Sequence, residues 1–376
     1  MTAHATLSAS SSKRWLACTP SVRLEATLPE PKRNPNAFDF SAEGTMAHEL
    51  AENYLKRHYN QITEKEFQAE YTKIKESKYY GEEMEEYVGN YVVYVRSQIV
   101  DGDRPLFEQR VDFSEYVPDG FGTADVVILS QNEIRVIDLK YGKGIPVSAT
   151  DNSQLRLYAL GAYEKFKEEF PNVRNVSYTI HQPRLDSIST DHTTVEKLLD
   201  WATYFVKPKA KKAWIGAGDF VPGEHCQFCK AKPQCRARSD FVNELAKLEF
   251  RDPPLLTQDE LDLVFSRADQ LTTWANDVKS YMLNEAVENG VLPLGYKLTT
   301  TATHRKVGDQ ELAAQVLLEK GYKPEEIYEP STLKSIAKLE KLGKKGDIVS
   351  VLGDLIVRPT GSPKLVRDTS VKEDFT

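Results

Sequence analysis

Three of the four cysteines fall in one run, Cys226-Gln-Phe-Cys229-Lys-Ala-Lys-Pro-Gln-Cys235, and the fourth, Cys18, lies far upstream. Thiolates at this density are a metal-site signature. Four of them bind either one tetrahedral zinc or an iron–sulfur cluster, and the spacing alone leaves both open. A second set of residues carries different chemistry: His48, Asp125, the triplet Asp138-Leu139-Lys140, and the pair Gln154 and Tyr158. Carboxylate oxygens with one imidazole suit a hard divalent cation such as Mg²⁺ or Mn²⁺. A lysine two residues from a carboxylate adds a positive charge where anionic oxygen would develop.

The elements around these residues decide whether they can meet. Residues two apart on a strand share a face, so Asp138 and Lys140 project together while Ile137 and Leu139 point the other way. Alone, that pair reads as a strand-end salt bridge. Gly122-Thr-Ala-Asp125 opens the preceding strand and can set Asp125 beside Asp138. The spacing predicts a helix over 44–59, with Ala47, Leu50 and Tyr54 on one stripe and His48 off it. Asp151-Asn152-Ser153 can cap a helix on which Gln154 and Tyr158, four apart, share a face. Glu108, on the strand before Asp125, reads as a surface carboxylate, with a place in a metal's outer sphere as the alternative.

A short capped helix leads to Cys18, and residues 20–40 read as loop. A helix over 80–100 carries Met84, Tyr87, Val88, Tyr91, Val95 and Ile99 at helical spacing. The period then changes to two: Phe107, Val111 and Phe113 alternate with polar residues, and strands follow at 126–129, 134–140 and 176–181 around a turn at 130–132. A strand, a helix and a strand in that order make a crossover between parallel strands. The core order is α-β-β-β-α-β. Residues 193–214 read as helix, ending in Lys207, Lys209, Lys211 and Lys212. A long helix is expected at about 257–289, then strand-like sequence near 295–305, short helices and a polar tail. The domain boundary falls near 245–255, dividing residues 1–245 from a mainly helical region at 250–376.

The 376 residues have the hydrophobic and charged fractions of a soluble globular protein, and a net charge of −7 argues against a protein that coats DNA. No apolar run approaches membrane-span length, and no signal segment opens the chain, which places it in the cytosol, where clustered thiols hold metal. No Gly-x4-Gly-Lys-Ser/Thr motif occurs, so any ATP-driven motor must be another polypeptide.

The order His48, Asp125, Asp138-Leu139-Lys140, Gln154-x3-Tyr158, framed by Cys18 and Cys226-x2-Cys229-x5-Cys235, resembles the PD-(D/E)xK nuclease superfamily. The likeness covers about residues 5–240 and is to the branch that holds RecB-type domains, the AddB nuclease and CRISPR-adaptation nucleases. The chain also looks like phage or prophage proteins of this branch found near replication genes. The resemblance implies an α/β fold with a restriction-endonuclease-like αβββαβ core and mixed sheet. It implies a [4Fe–4S] cluster on Cys18, Cys226, Cys229 and Cys235, which the lone distant ligand also favours over zinc. It implies Mg²⁺ or Mn²⁺ on His48, Asp125, Asp138 and the carbonyl of Leu139, with Lys140 orienting water and Gln154 and Tyr158 positioning site and DNA. The activity it implies is a metal-dependent DNA nuclease, foremost an exonuclease in phage replication or recombination in a bacterial host. A helicase, recombinase or single-strand-binding protein would be its partner. A structure-selective or nicking endonuclease, a non-catalytic iron–sulfur DNA-binding factor and a zinc-stabilised interaction module are the alternatives. Lys334, Lys338, Lys341, Lys344 and Lys345 line a tail helix that could add to the DNA path.

Overall fold

A computed structural model describes residues 5–30, 38–144, 146–244, 256–293 and 296. They fall within one compact unit, Met1–Leu298; the second, Thr299–Thr376, lies outside the described residues, as do the expected boundary segment, most of the strand-like stretch and the tail lysines.

The N-terminal part is helical: α1 (Ser12–Ala17), α2 (Ser21–Ala26), α3 (Phe40–His58), α4 (Glu64–Lys75) and α5 (Glu82–Ser97). α2 corrects the loop expected after residue 20. Pro20 stands at its N-cap, where the fixed backbone angle of proline suits a helix start. α3 begins earlier than its apolar stripe because the Asp39 side chain accepts from Ser41 and Ala42 N–H. α4 was not anticipated, although its capping box, Thr63 with Glu66, stands in the sequence.

The sheet has five strands: β1 (Arg104–Asp112), β2 (Phe121–Leu129), β3 (Glu133–Leu139), β4 (Asn175–Gln182) and β5 (Ser187–Thr194), in that spatial order. β1, β2 and β3 form an antiparallel meander, β3 and β4 run parallel, and β5 closes the edge antiparallel. The crossover between β3 and β4 is α6 (Ser153–Phe166), whose first turn is capped by Asn152. β5 was not expected, and the helix expected over 193–214 follows it from Val195. The alternating exposure and polar side chains of β5 fit an edge strand, and it carries no apolar signal.

Each face of the sheet is covered. On one side Val127, Leu129, Ile134 and Val136 pack with α6; on the other Val126, Ile128, Ile137 and Leu139 pack with α3 and α5. Each fully buried aliphatic side chain contributes about 1.5–3 kcal/mol, so the central strands anchor the site between them.

After β5 come α7 (Val195–Asp200), a π turn (Trp201–Val206) and α8 (Lys207–Ile215). α9 (Arg236–Asn243) follows the cysteine run, and α10 (Gln258–Asn289) matches the long helix expected. α10 is held to α9 and the cysteine run by Asp277, which pairs with Arg238 at 2.7 Å and Lys232 at 2.9 Å.

Candidate functional site

The site forms where the ladder between β2 and β3 opens. The last paired residues are Val126 and Ile137. Beyond them the Leu139 N–H donates to Oδ2 of Asp125 at 2.7 Å, so a side chain replaces the next backbone partner. Asp138 and Lys140 lean toward α6 and Ile137 and Leu139 toward α3 and α5, as the strand period predicts.

On the α6 side, Lys140 Nζ lies 2.9 Å from Oδ2 of Asp138. Gln154 links the pair: its Nε2 donates to Asp138 Oδ1 at 3.1 Å and to the Tyr158 hydroxyl at 3.3 Å, while its Oε1 accepts from Lys140 at 3.3 Å. Tyr158 lies so close to β2 that a Cβ on Gly122 would stand 2.7 Å from its ring. Burial raises the Asp138 carboxyl above its usual range despite the charge of Lys140. Burial also opposes the charge on Lys140, but Asp138 outweighs it and the ammonium is held above its usual value.

On the other side, Nδ1 of His48 in α3 lies 3.3 Å from Asp125 Oδ2. Burial disfavours the imidazolium, yet Asp125, then Asp138 and Glu108, raise it to about 9. Asp125 is the reverse case: burial would lift it, and His48 and Lys140 hold it below the usual carboxylate range.

Glu108 belongs here, which corrects its reading as a surface carboxylate. It takes a left-handed backbone, φ 49°, between Phe107 opposite Val126 and Gln109 opposite Ala124. There the strand turns over. Phe107 joins the α3–α5 core, whereas Val111 and Phe113, expected on the same face, join the α6 core. Ligand atoms of His48, Glu108 and Asp125 all lie within 4.8 Å of one another, in a narrow recess that Leu139, Tyr91 and Glu52 also line. Among the described residues no hydrogen bond or ion pair is formed by the Glu108 carboxylate. Burial and the neighbouring Asp125 raise it to about 7. No sequence signal marks a non-glycine residue with positive φ in mid-strand.

This donor set fits a hard divalent cation. It offers oxygen ligands and one imidazole. Nearby, Asp138 Oδ2 is buried and, although ion-paired, lacks a hydrogen bond of acceptable geometry. Asp138 turns to Lys140 and Gln154, and Glu108 rather than Asp138 completes the trio.

The four cysteines are free thiols lining a single recess with Arg14, His225 and Arg238. Burial raises the thiols of Cys18 and Cys226, and that of Cys229 to about 12. A bound cation is what would hold them as thiolates. The N-terminal helices are tied to this run: Arg14 pairs with Glu25 at 2.7 Å and donates to the Phe228 carbonyl, and Lys230 N–H donates to Glu25. This set also fits its group, since the donors are four soft sulfurs facing one space.

Residues 4–373 match the family model described as "Protein of unknown function (DUF2800)". The chain belongs to the DUF2800 family. The solved crystal structure of SSO0001 is similar at 14% identity, over 58% of this chain and 94% of that one, with a TM-score of 0.24. That distance leaves the reading of this DUF2800 member to its own residues. Among the described residues no helix is long and apolar enough to cross a membrane.

Proposed function

We propose that this protein is a divalent-cation-dependent nuclease that hydrolyses phosphodiester bonds in DNA, on a restriction-endonuclease-like core. The observation that carries the reading is the meeting of His48, Glu108 and Asp125 on one side of the opened β2–β3 ladder with Asp138, Lys140 and Gln154 on the other. Charged groups buried together in this way are costly unless they serve a site.

His48, Glu108 and Asp125 would hold Mg²⁺ or Mn²⁺, with Asp138 and the Leu139 carbonyl at its border. When bound, the cation supplies Lewis-acid polarisation of the phosphate and lowers the pKa of a water. The chain's own groups do the rest. Asp125 is fixed as a carboxylate by the Leu139 N–H and His48. Lys140 stays protonated; two of its three N–H groups face Asp138 and Gln154, which leaves one for water or a phosphate oxygen. Gln154, engaged at both ends of its amide, orients that ammonium. Tyr158 backs Gln154 against Gly122.

Cys18, Cys226, Cys229 and Cys235 would hold a [4Fe–4S] cluster with a structural role. What supports the cluster over a single zinc is the one ligand that stands alone, about 200 residues before the other three, where zinc sites commonly draw on two close pairs.

The test uses protein purified without oxygen, with Mn²⁺ or Mg²⁺, on end-labelled linear and closed circular DNA. Cation-dependent loss of linear DNA alone establishes an exonuclease. Cleavage of the circle as well makes it an endonuclease. No cleavage of either, with the protein folded and Mn²⁺ bound, overturns the enzymatic reading.

Cation binding carries its own pH signature. Mn²⁺ must displace the proton of His48, raised to about 9, and below about 7 that of Glu108. Protons compete, so affinity rises with pH across this range. Glu108→Gln removes the lower step and weakens Mn²⁺ binding roughly 10-fold. Titration calorimetry at several pH values checks both. An unchanged affinity and slope in the variant would remove Glu108 from the ligand set.

A further inference from the structure

We propose that the π turn and α8 form a landing surface for single-stranded DNA, an inference that rests on the nuclease reading for its use but not for its measurement. The surface begins with a packing problem. Leu198, Ala202, Val206 and Ala210 are all buried, each four residues after the last. An α-helix turns once every 3.6 residues, so a strict period of four rotates off its own face. The π turn at Trp201–Val206 takes up the excess. Pro208 permits it, because it has no N–H to close an α-helical bond to Tyr204.

The slip also decides what faces out. Tyr204 is 78% exposed and Phe205 44%. Behind Tyr204, at helical spacing, come Lys211 and Ile215; behind Phe205 come Lys209 and Lys212. Aromatic rings and ammonium groups therefore interleave on neighbouring stripes. Lys209 Nζ stands 4.3 Å over the Phe205 ring. Lys207 Nζ stands 5.5 Å over Tyr116, whose hydroxyl bonds Glu164 of α6, the helix that carries Gln154.

In a chain of net charge −7, Lys207, Lys209, Lys211 and Lys212 have no carboxylate within 4.0 Å among the described residues. Their charge is open to an anion. Lysines alone would fit any polyanion, and the exposed rings narrow the choice. A duplex keeps its base faces stacked inside, whereas a single strand offers them to an aromatic side chain. An acidic protein would match the lysines but gains nothing particular from a freely exposed Tyr204.

The test measures fluorescence anisotropy of labelled oligothymidylate and of a blunt duplex of equal length on the full chain, with EDTA so that cleavage plays no part. Tyr204→Ala is expected to weaken single-strand binding roughly 10-fold and leave duplex binding unchanged. Lys211→Glu with Lys212→Glu weakens both and flattens the salt dependence by about 1.4 in logarithmic slope for the single strand. All three positions are exposed, and an unchanged melting temperature shows that the fold is intact. Single-strand binding that survives both variants, or a duplex loss equal to the single-strand loss in Tyr204→Ala, overturns the proposal. Cleavage of the same oligonucleotide with Mn²⁺ separates the two readings. A protein that binds through this surface but never cuts refutes the nuclease alone; one that cuts while its variants bind normally refutes the landing surface alone.

Discussion

Lys140→Ala is expected to lower the cleavage rate on linear DNA by at least ~10²–10³-fold while Mn²⁺ affinity holds or improves. The two effects separate because Lys140 is outside the trio of His48, Glu108 and Asp125. Its charge helps keep Asp125 ionised, but it also repels an incoming cation. Losing the ammonium removes the group that on the proposed reading would face the phosphate, and leaves Asp138, 2% exposed at its side chain, without its counter-charge. Burial then pushes that carboxyl further up. Lys140→Arg is no rescue, since a planar fork cannot take the place of a compact ammonium between Asp138 and Gln154. Single-turnover cleavage and Mn²⁺ titration of the same preparation measure both. Full activity in Lys140→Ala would remove Lys140 from the chemistry. A loss of activity that tracks a loss of cation affinity would recast it as a support of the metal site.

Cys229→Ser is expected to lose bound iron together with visible absorption. Its folding stability drops by at least ~4 kcal/mol, the class of effect that follows loss of a structural metal, which is about 10 °C or more in melting temperature. The reason lies in what surrounds the recess. Arg14, Glu25, Lys230 and the Phe228 carbonyl bond α1 and α2 to the run that carries three of the thiols. Without its centre the recess keeps protonated thiols, and that docking rests on a few polar contacts. Limited proteolysis then cuts first within residues 5–30, while nuclease activity persists at low temperature because the β2–β3 site is built elsewhere. Iron analysis, absorption and melting of wild type and variant, prepared without oxygen, check this. A colourless wild type with one zinc per chain would replace the cluster with zinc. An iron-free variant with unchanged melting would show that the centre does not brace the fold.

Much of this architecture was legible in the residues. Asp138 and Lys140 share a face because strand geometry admits nothing else, and Gln154 and Tyr158 meet because they are four apart on a helix capped by Asn152. The parallel pairing of β3 and β4 followed from a helix between two apolar runs. What escaped has physical causes. Ser187–Thr194 pairs through its backbone at a sheet edge and buries little, so it leaves no apolar pattern. The π turn is written in a burial period of four that becomes meaningful only when the buried face is known. Glu108 escaped because its role depends on one left-handed residue that turns β1 over. α4 differs, since Thr63-x-x-Glu66 was there to read and the apolar stripe behind it is only Phe67 and Ile74.

The docking of the N-terminal helices has a consequence for synthesis. Leu7 and Trp15 are fully buried, and Thr19, Arg23 and Glu25 bond to Ala217, Trp214 and Lys230. Their partners leave the ribosome about 200 residues later, which at ~5–20 residues per second is a delay of ~10–40 s. For that interval Thr19, Arg23 and Glu25 lack these partners, and the segment around α2 stays exposed to chaperones and proteases. The sheet can assemble behind it in chain order, β1 before β5, with Ser12 meeting Ser153 of α6 on the way, and α2 docks last. Release of the nascent chain before the cysteine run would therefore leave a folded sheet, with Arg14 and Glu25 lacking the Phe228 carbonyl and the Lys230 N–H.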